Sequence, residues 1–204
     1  MKLTTFTMRT DSATLAIYIM AVALSLSAIV IIDAYYDAGN GFHKAIAFLP
    51  FVILSILMAL NNSRQMSVRW NSFLVSSVVS RKEAIDSLFA PNILIYVMTA
   101  MVTALMSTIL FPEEDMTGCV CLSFLISSLS LTISQIYFSD SVSSLASDIL
   151  GVVTPIALLI ALYMMSEEAL SIDLLGSILC IIATVILFLS GWMVSNRMFR
   201  RKDI

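Results

Sequence analysis

The chain has 204 residues, of which 59% are hydrophobic and only 12% charged, and its mean hydropathy is +0.97, whereas an average soluble domain carries about 25% charged residues. A bilayer core about 30 Å thick takes up around 20 apolar residues per helix, so most of the chain is consumed by spans and no separate soluble domain fits within it. The net charge of −3 informs through its distribution, because orientation in a membrane follows Lys and Arg in short loops and largely ignores acids.

The pattern predicts an all-α, polytopic membrane protein forming one domain, residues 1–204, with six spans. The first, Ala13–Ile32, follows Lys2 and Arg9 and carries Ala21 and Ser25, small residues suited to close helix packing. Its 20-residue apolar run exceeds the roughly 7–15 residues of a secretory signal core, so it is expected to remain as a span. The second, Phe42–Leu60, has Lys44 at its edge, where the ammonium is expected to snorkel to the interface. Asn61-Asn62-Ser63 is expected to end it.

Residues 61–92 make the longest connection in the chain, and Pro91-Asn92 is expected to separate it from the third span. Met66, Trp70, Phe73 and Leu74 recur at helix-face spacing, with Arg69, Asn71 and Ser72 elsewhere on the wheel. Ser80-Arg81-Lys82-Glu83 then reads as a capping box: the Ser80 hydroxyl accepts an amide proton of the first turn, and Glu83 reaches back to the Ser80 amide. Such an N-cap contributes about 1 kcal/mol and predicts a helix starting at Ser80. Ile85, Leu88 and Phe89 continue its apolar face. Periodicity leaves two readings open. One is a re-entry helix in the headgroups with Arg81 and Lys82 on anionic phosphates; the other is a docking element for a cytoplasmic partner.

The third span is Ile93–Leu110 and the fourth Val120–Phe138. In the fourth, Ser123, Ser127, Ser130 and Ser134 fall at i, i+4, i+7 and i+11, within a narrow stripe on one helix face. The stripe serves close helix packing, lines a substrate path, or forms a dimer interface beside one. The fifth span, Ile149–Met165, is short and holds Gly151 and Pro155, so it is expected to bend. The sixth is Leu174–Met193. Cys119, Cys121 and Cys180 lie in or beside apolar runs without zinc-site spacing and are expected to be buried free thiols.

With six spans, Lys2, Arg9, Arg64, Arg69, Arg81, Lys82, Arg197, Arg200, Arg201 and Lys202 share one side, leaving only Lys44 on the other. The positive-inside rule then puts both termini in the cytoplasm. The opposite face carries Asp33, Asp37, Glu113, Glu114, Asp115, Glu167, Glu168 and Asp173.

The run Arg69-Trp70-Asn71-Ser72-Phe73-Leu74, followed by Val79-Ser80-Arg81-Lys82-Glu83-Ala84, resembles the cytoplasmic loop of small permeases in the type-2 ATP-binding-cassette transporter family. In that family a Trp in a short charged helix precedes a Pro-Val-Ser-Arg-Lys-Glu turn that opens the helix into the third span. Val78 or Val79 stands here where the family usually has Pro, and Leu88-Phe89 is nearest to its Lys-Tyr pair. The resemblance implies a permease of the bacterial plasma membrane that works as a dimer with an identical or similar permease. It also implies a separate cytoplasmic ATPase subunit, on which Arg69, Trp70, Phe73, Ser80, Arg81, Lys82 and Glu83 would form the coupling loop. Export of peptides or other amphipathic cargo is the activity associated with such permeases.

What is missing narrows the choice. A P-loop needs Gly-Lys followed by Ser or Thr, and none of Lys2, Lys44, Lys82 and Lys202 follows a glycine. The chain is therefore expected not to be an enzyme and to bind no cofactor or metal, ATP and Mg belonging to the partner ATPase. The span interiors carry no carboxylate or His, which disfavours ion-coupled transport, and His43 sits at an outer edge. No nucleophile, base and orienting group assemble into an intramembrane catalytic set, and no nucleic-acid partner is expected. Two alternatives stand beside the permease: the substrate-capturing membrane subunit of a vitamin uptake system, which docks through small-residue stripes on its first span, and a non-transporting membrane scaffold.

Overall fold

The computed structural model describes residues 43–67, 81–140, 144–168 and 170–200, with scattered positions between 16 and 35. Every regular element among the main described stretches is a helix: α1 (Ala45–Ser67), α2 (Arg81–Leu110), α3 (Thr117–Asp140), α4 (Ser144–Ser166) and α5 (Leu174–Arg200). Four segments are long and apolar enough to cross a membrane: Phe89–Leu110, Thr117–Ile136, Ile149–Ser166 and Leu174–Arg197. They make the chain an all-helical integral membrane protein, and they coincide with the third to sixth predicted spans. Where six were expected, the first two are represented by shorter apolar helices, Ala23–Ile32 and Ala45–Met58.

Two predicted boundaries move. Helix α1 continues through Asn61-Asn62-Ser63 to Ser67, because Asn and Ser cost only about 0.5–0.7 kcal/mol each relative to Ala and no Gly or Pro follows them to stop the helix. The helix expected to open at Ser80 is α2, which starts at Arg81, but Pro91 does not separate it from the third span: the helix runs through for 30 residues. A proline inside a helix removes one backbone hydrogen bond and crowds the carbonyl four residues earlier, here that of Ser87, at about 3 kcal/mol. Apolar residues on both sides keep the turn helical, with Phe89 buried in the bundle, and membrane helices tolerate such interruptions.

Helix α3 lies at the centre, packing against all four others, while α1 sits against α2, α3 and α4. Of the spanning segment on α3, 56% is buried, against 17% on α5. Ala47, Phe48, Phe51 and Leu54 of α1 are fully enclosed. A series of rings crosses the core from Phe51 to Phe124 at 6.3 Å and on to Phe188 at 6.1 Å, the second pair edge to face.

Polarity is inverted relative to a soluble bundle. On α5 the buried positions are Ser177, Thr184, Gly191 and Ser195, while Ile178, Ile182, Ile186 and Leu189 face outward. On α2, Thr99, Thr103 and Ser107 point in, and Leu94, Met98, Met101 and Leu105 point out. Helices in lipid gain nothing by hiding apolar side chains from tails that are equally apolar, so small and hydroxylated residues occupy the seams where backbones approach. Two contacts show how close that approach is. A Cβ on Gly191 would lie 2.4 Å from Thr132 Cγ2, and one on Gly118 would lie 2.7 Å from the Ile172 carbonyl oxygen.

Caps fix the ends of the helices. The Asp173 carboxylate accepts the Gly176 amide at 2.8 Å to start α5, and Asp115 accepts the Thr117 amide at 3.0 Å to start α3, as short acidic N-caps do. Helix α4 closes with Glu168 in the left-handed region at φ 57°, which lets the Leu170 amide turn back to the Met164 carbonyl at 3.1 Å.

Candidate functional site

Successive helices alternate in direction, and this sorts the charges into two ends. At one end lie the start of α1, the α2–α3 connection and the α4–α5 connection. His43 Nδ1 is 2.7 Å from Glu114 Oε1, and the His43 ring stacks on Phe111 with centroids 3.9 Å apart. Lys44 Nζ donates to the Met165 carbonyl at 2.5 Å, at the end of the spanning segment Ile149–Ser166. A cation there meets the carbonyls left without amide partners at the end of α4 and the negative pole of that helix. The acids Glu113, Glu114, Asp115, Glu167, Glu168 and Asp173 all belong to this end. The Thr117 hydroxyl and amide hold the Asp115 carboxyl below the usual carboxylate range.

The opposite end gathers the arginines and a lysine, alongside the acids Glu83, Asp86, Asp140 and Asp148. Arg64 lies in the last turn of α1, Arg81 and Lys82 open α2, and Arg197 and Arg200 close α5. Of the predicted coupling residues, Arg69, Trp70, Phe73 and Ser80 lie outside the described residues. Arg81, Lys82 and Glu83 form the first turn of α2, which begins directly after Ser80; their side chains lie outside the description.

One contact at this end went unnoticed in the sequence. The Trp192 indole nitrogen donates to Asp86 Oδ1 at 2.7 Å, joining the second turn of α2 to α5 across 106 positions of chain. Asp86 interrupts the apolar series Ile85, Leu88 and Phe89, which is the signal that could have marked it. A carboxylate within such a face requires a donor, and a Trp near the end of a span is a donor with only one hydrogen to give.

The serine stripe of α3 faces helices of the same chain. Ser123, Ser127 and Ser134 are buried, and Ser130 is half-buried. Ser123 donates to the Cys119 carbonyl at 2.6 Å, the back-bonding by which a hydroxyl is satisfied within its own helix. Thr99 and Thr184 do the same toward Ile95 and Cys180. The hydroxyls of Ser127, Thr132, Thr103 and Ser195 are buried without a hydrogen-bond partner. The stripe thus belongs to a larger set of inward hydroxyls on α2, α3 and α5. Cys119 and Cys121 are buried and Cys180 is half-buried, all three as free thiols. Among the described residues no group of His, Cys, Asp and Glu is arranged to hold a metal ion.

No protein-family model matches the chain, and no curated protein or solved structure shows significant similarity to it. The site's own geometry and the loop motif therefore carry the functional reading.

Proposed function

We propose that the chain is the membrane permease subunit of an ATP-binding-cassette exporter of the type-2 class, with six spans, both termini cytoplasmic and a separate ATPase as its source of energy. The observation that carries this reading is the continuity of α2. The turn opened by the Ser-Arg-Lys-Glu motif and the third span form one 30-residue helix, about 45 Å long at 1.5 Å per residue. A push delivered at Arg81–Glu83 thus travels along one helix toward the opposite face. A headgroup re-entry helix would need a break before the span, and α2 has none at Pro91.

In this reading two ATPase subunits close on ATP and displace the loop around Arg69, Trp70, Phe73 and Ser80. Helix α2 tilts, and the hydroxyl-lined seams that α3 makes with α2 and α5 allow sliding because small residues leave little to interlock. Cargo, a peptide or another amphipathic molecule, crosses between this permease and a second one. The concentration of Arg and Lys at one end supports the orientation, a rule to which acids contribute little.

The test is co-purification. The detergent-solubilised chain and an ATP-binding-cassette ATPase of the same cell are expected to purify together, and Arg81→Glu/Glu83→Arg is expected to abolish the association or uncouple ATP hydrolysis. An ATPase that never binds, or that binds the double variant equally well with its activity unchanged, removes the proposal.

A further inference from the structure

We infer that Asp86, Trp192, Gly191 and Thr132 form a joint that makes α5 move with α2, so that Asp86 and Trp192 are positioning residues for transmission from the coupling loop. This rests on the permease reading above.

The geometry is specific to one point in the bundle. Gly191 and Trp192 are consecutive on α5 and serve two neighbours. Gly191 is buried against Thr132 of α3, so close that a Cβ would fall 2.4 Å from the Thr132 methyl. Trp192 reaches the other way, its indole N–H on the Asp86 carboxylate of α2 at 2.7 Å. Phe89, one turn further along α2, is 3% exposed, so the helix is anchored beside the hydrogen bond. On the α5 side, the Asn196 side chain donates to the Trp192 carbonyl at 3.1 Å.

The two contacts differ in kind. The glycine contact is a smooth, close approach of small groups with no directional bond, and it permits sliding between α5 and α3. The Trp192–Asp86 bond is directional and made by a charge-bearing acceptor, the stronger class of hydrogen bond, and it resists separation of α5 from α2. The pairing lies in the second turn after Arg81–Glu83, before the helix enters its spanning segment at Phe89. Displacement of the loop thus reaches α5 before it reaches the core, and α5 leads to the basic residues Arg197 and Arg200 at the same end. Asp86 and Trp192 together convert a push on one helix into the movement of a pair.

Two measurements on the full chain test this. The first is a double-mutant cycle in unfolding with Asp86→Leu, Trp192→Phe and both. Each single variant is expected to lower the folding equilibrium constant about tenfold, as losing a hydrogen bond to a charged group does, with little further loss in the double. Asp86→Asn retains an acceptor oxygen and is expected to restore most of the loss; it also keeps the test open if Asp86→Leu fails to fold. Strictly additive losses overturn the joint.

The second measurement separates positioning from stability. Spin labels at Leu94 on α2 and Val185 on α5, both exposed, are placed in a chain whose three cysteines are replaced by Ala. Their separation is expected to stay constant when the ATPase and a non-hydrolysable ATP analogue are added. The separation from Leu94 to a label at Ile56 on α1 is expected to change. With Trp192→Phe the Leu94–Val185 separation is expected to shift on nucleotide binding. Unchanged behaviour in Trp192→Phe overturns the positioning role even if the cycle shows coupling. If the ATPase fails to bind the unaltered chain, the permease reading and the positioning role fall together, while the cycle still decides whether the bond joins the two helices.

Discussion

Gly191→Ala should destabilise the protein, against the ordinary trend for glycine inside a helix. That trend is a gain of about 1 kcal/mol on going to Ala. Here the added Cβ would lie 2.4 Å from Thr132 Cγ2, whereas carbon atoms in contact prefer about 3.5–4.0 Å. Thr132 has little room to yield, because a β-branched side chain within a helix has few χ1 states open to it. Helices α3 and α5 must therefore separate, and overpacking of this kind costs about 1–3 kcal/mol. Subtracting the propensity gain leaves a net loss of about 1 kcal/mol. Thr132→Ser removes the offending methyl and leaves Cβ and Oγ1 at 3.4 and 3.6 Å, which is ordinary contact. In that background Gly191→Ala should become stabilising by about 1 kcal/mol. The difference between backgrounds, about 2 kcal/mol, is a factor of roughly 30 in the folding equilibrium. Titration from mild detergent into SDS, followed by helical circular dichroism, would measure it. If Gly191→Ala stabilises equally in both backgrounds, α5 does not approach α3 at this point.

Three further outcomes follow from the acidic end. Lys44→Met keeps the apolar stem but removes the cation from the Met165 carbonyl, and should cost about 1 kcal/mol in thermal unfolding. Glu168→Gly should stabilise by about 0.5–1 kcal/mol, since a residue with a Cβ strains at positive φ and glycine does not; Glu168→Ala is the control that should gain nothing. Asp115 is held below its ordinary pKa, so the stability it contributes is complete above about pH 3.9 and is lost as the pH falls through its lower folded value. In Asp115→Asn, melting temperature recorded from about pH 6 to pH 2 should lack that acid-side decline.

The spanning segments were legible because long apolar runs bounded by charges have few alternatives, and the concentration of Arg and Lys at one end follows directly from the order of those runs. The end of α1 was misplaced because Asn and Ser disfavour a helix only mildly and no Gly or Pro follows them. The start of the α2 span was misplaced because Pro91, a stop signal in water, is a weak one where helices pack within a membrane. The inward faces were only partly legible. The serines of α3 stood out by spacing, but Thr99, Thr103, Ser107, Ser177, Thr184 and Ser195 were hidden among apolar residues that a reader of soluble proteins assigns to the core. Contacts such as Lys44 with Met165 and Trp192 with Asp86 join residues more than 100 positions apart, and single-sequence periodicity carries no information about such pairs.

The central claim is that the segment before α2 meets an ATPase. It is tested most directly by placing a photo-crosslinking phenylalanine analogue at Phe73 and, in a second chain, at Leu174, which is 74% exposed at the acidic end. Irradiated cells should yield a covalent product with an ATP-binding-cassette ATPase from position 73 and none from position 174. A product from position 174, or none from position 73 while the ATPase is present, would contradict the account.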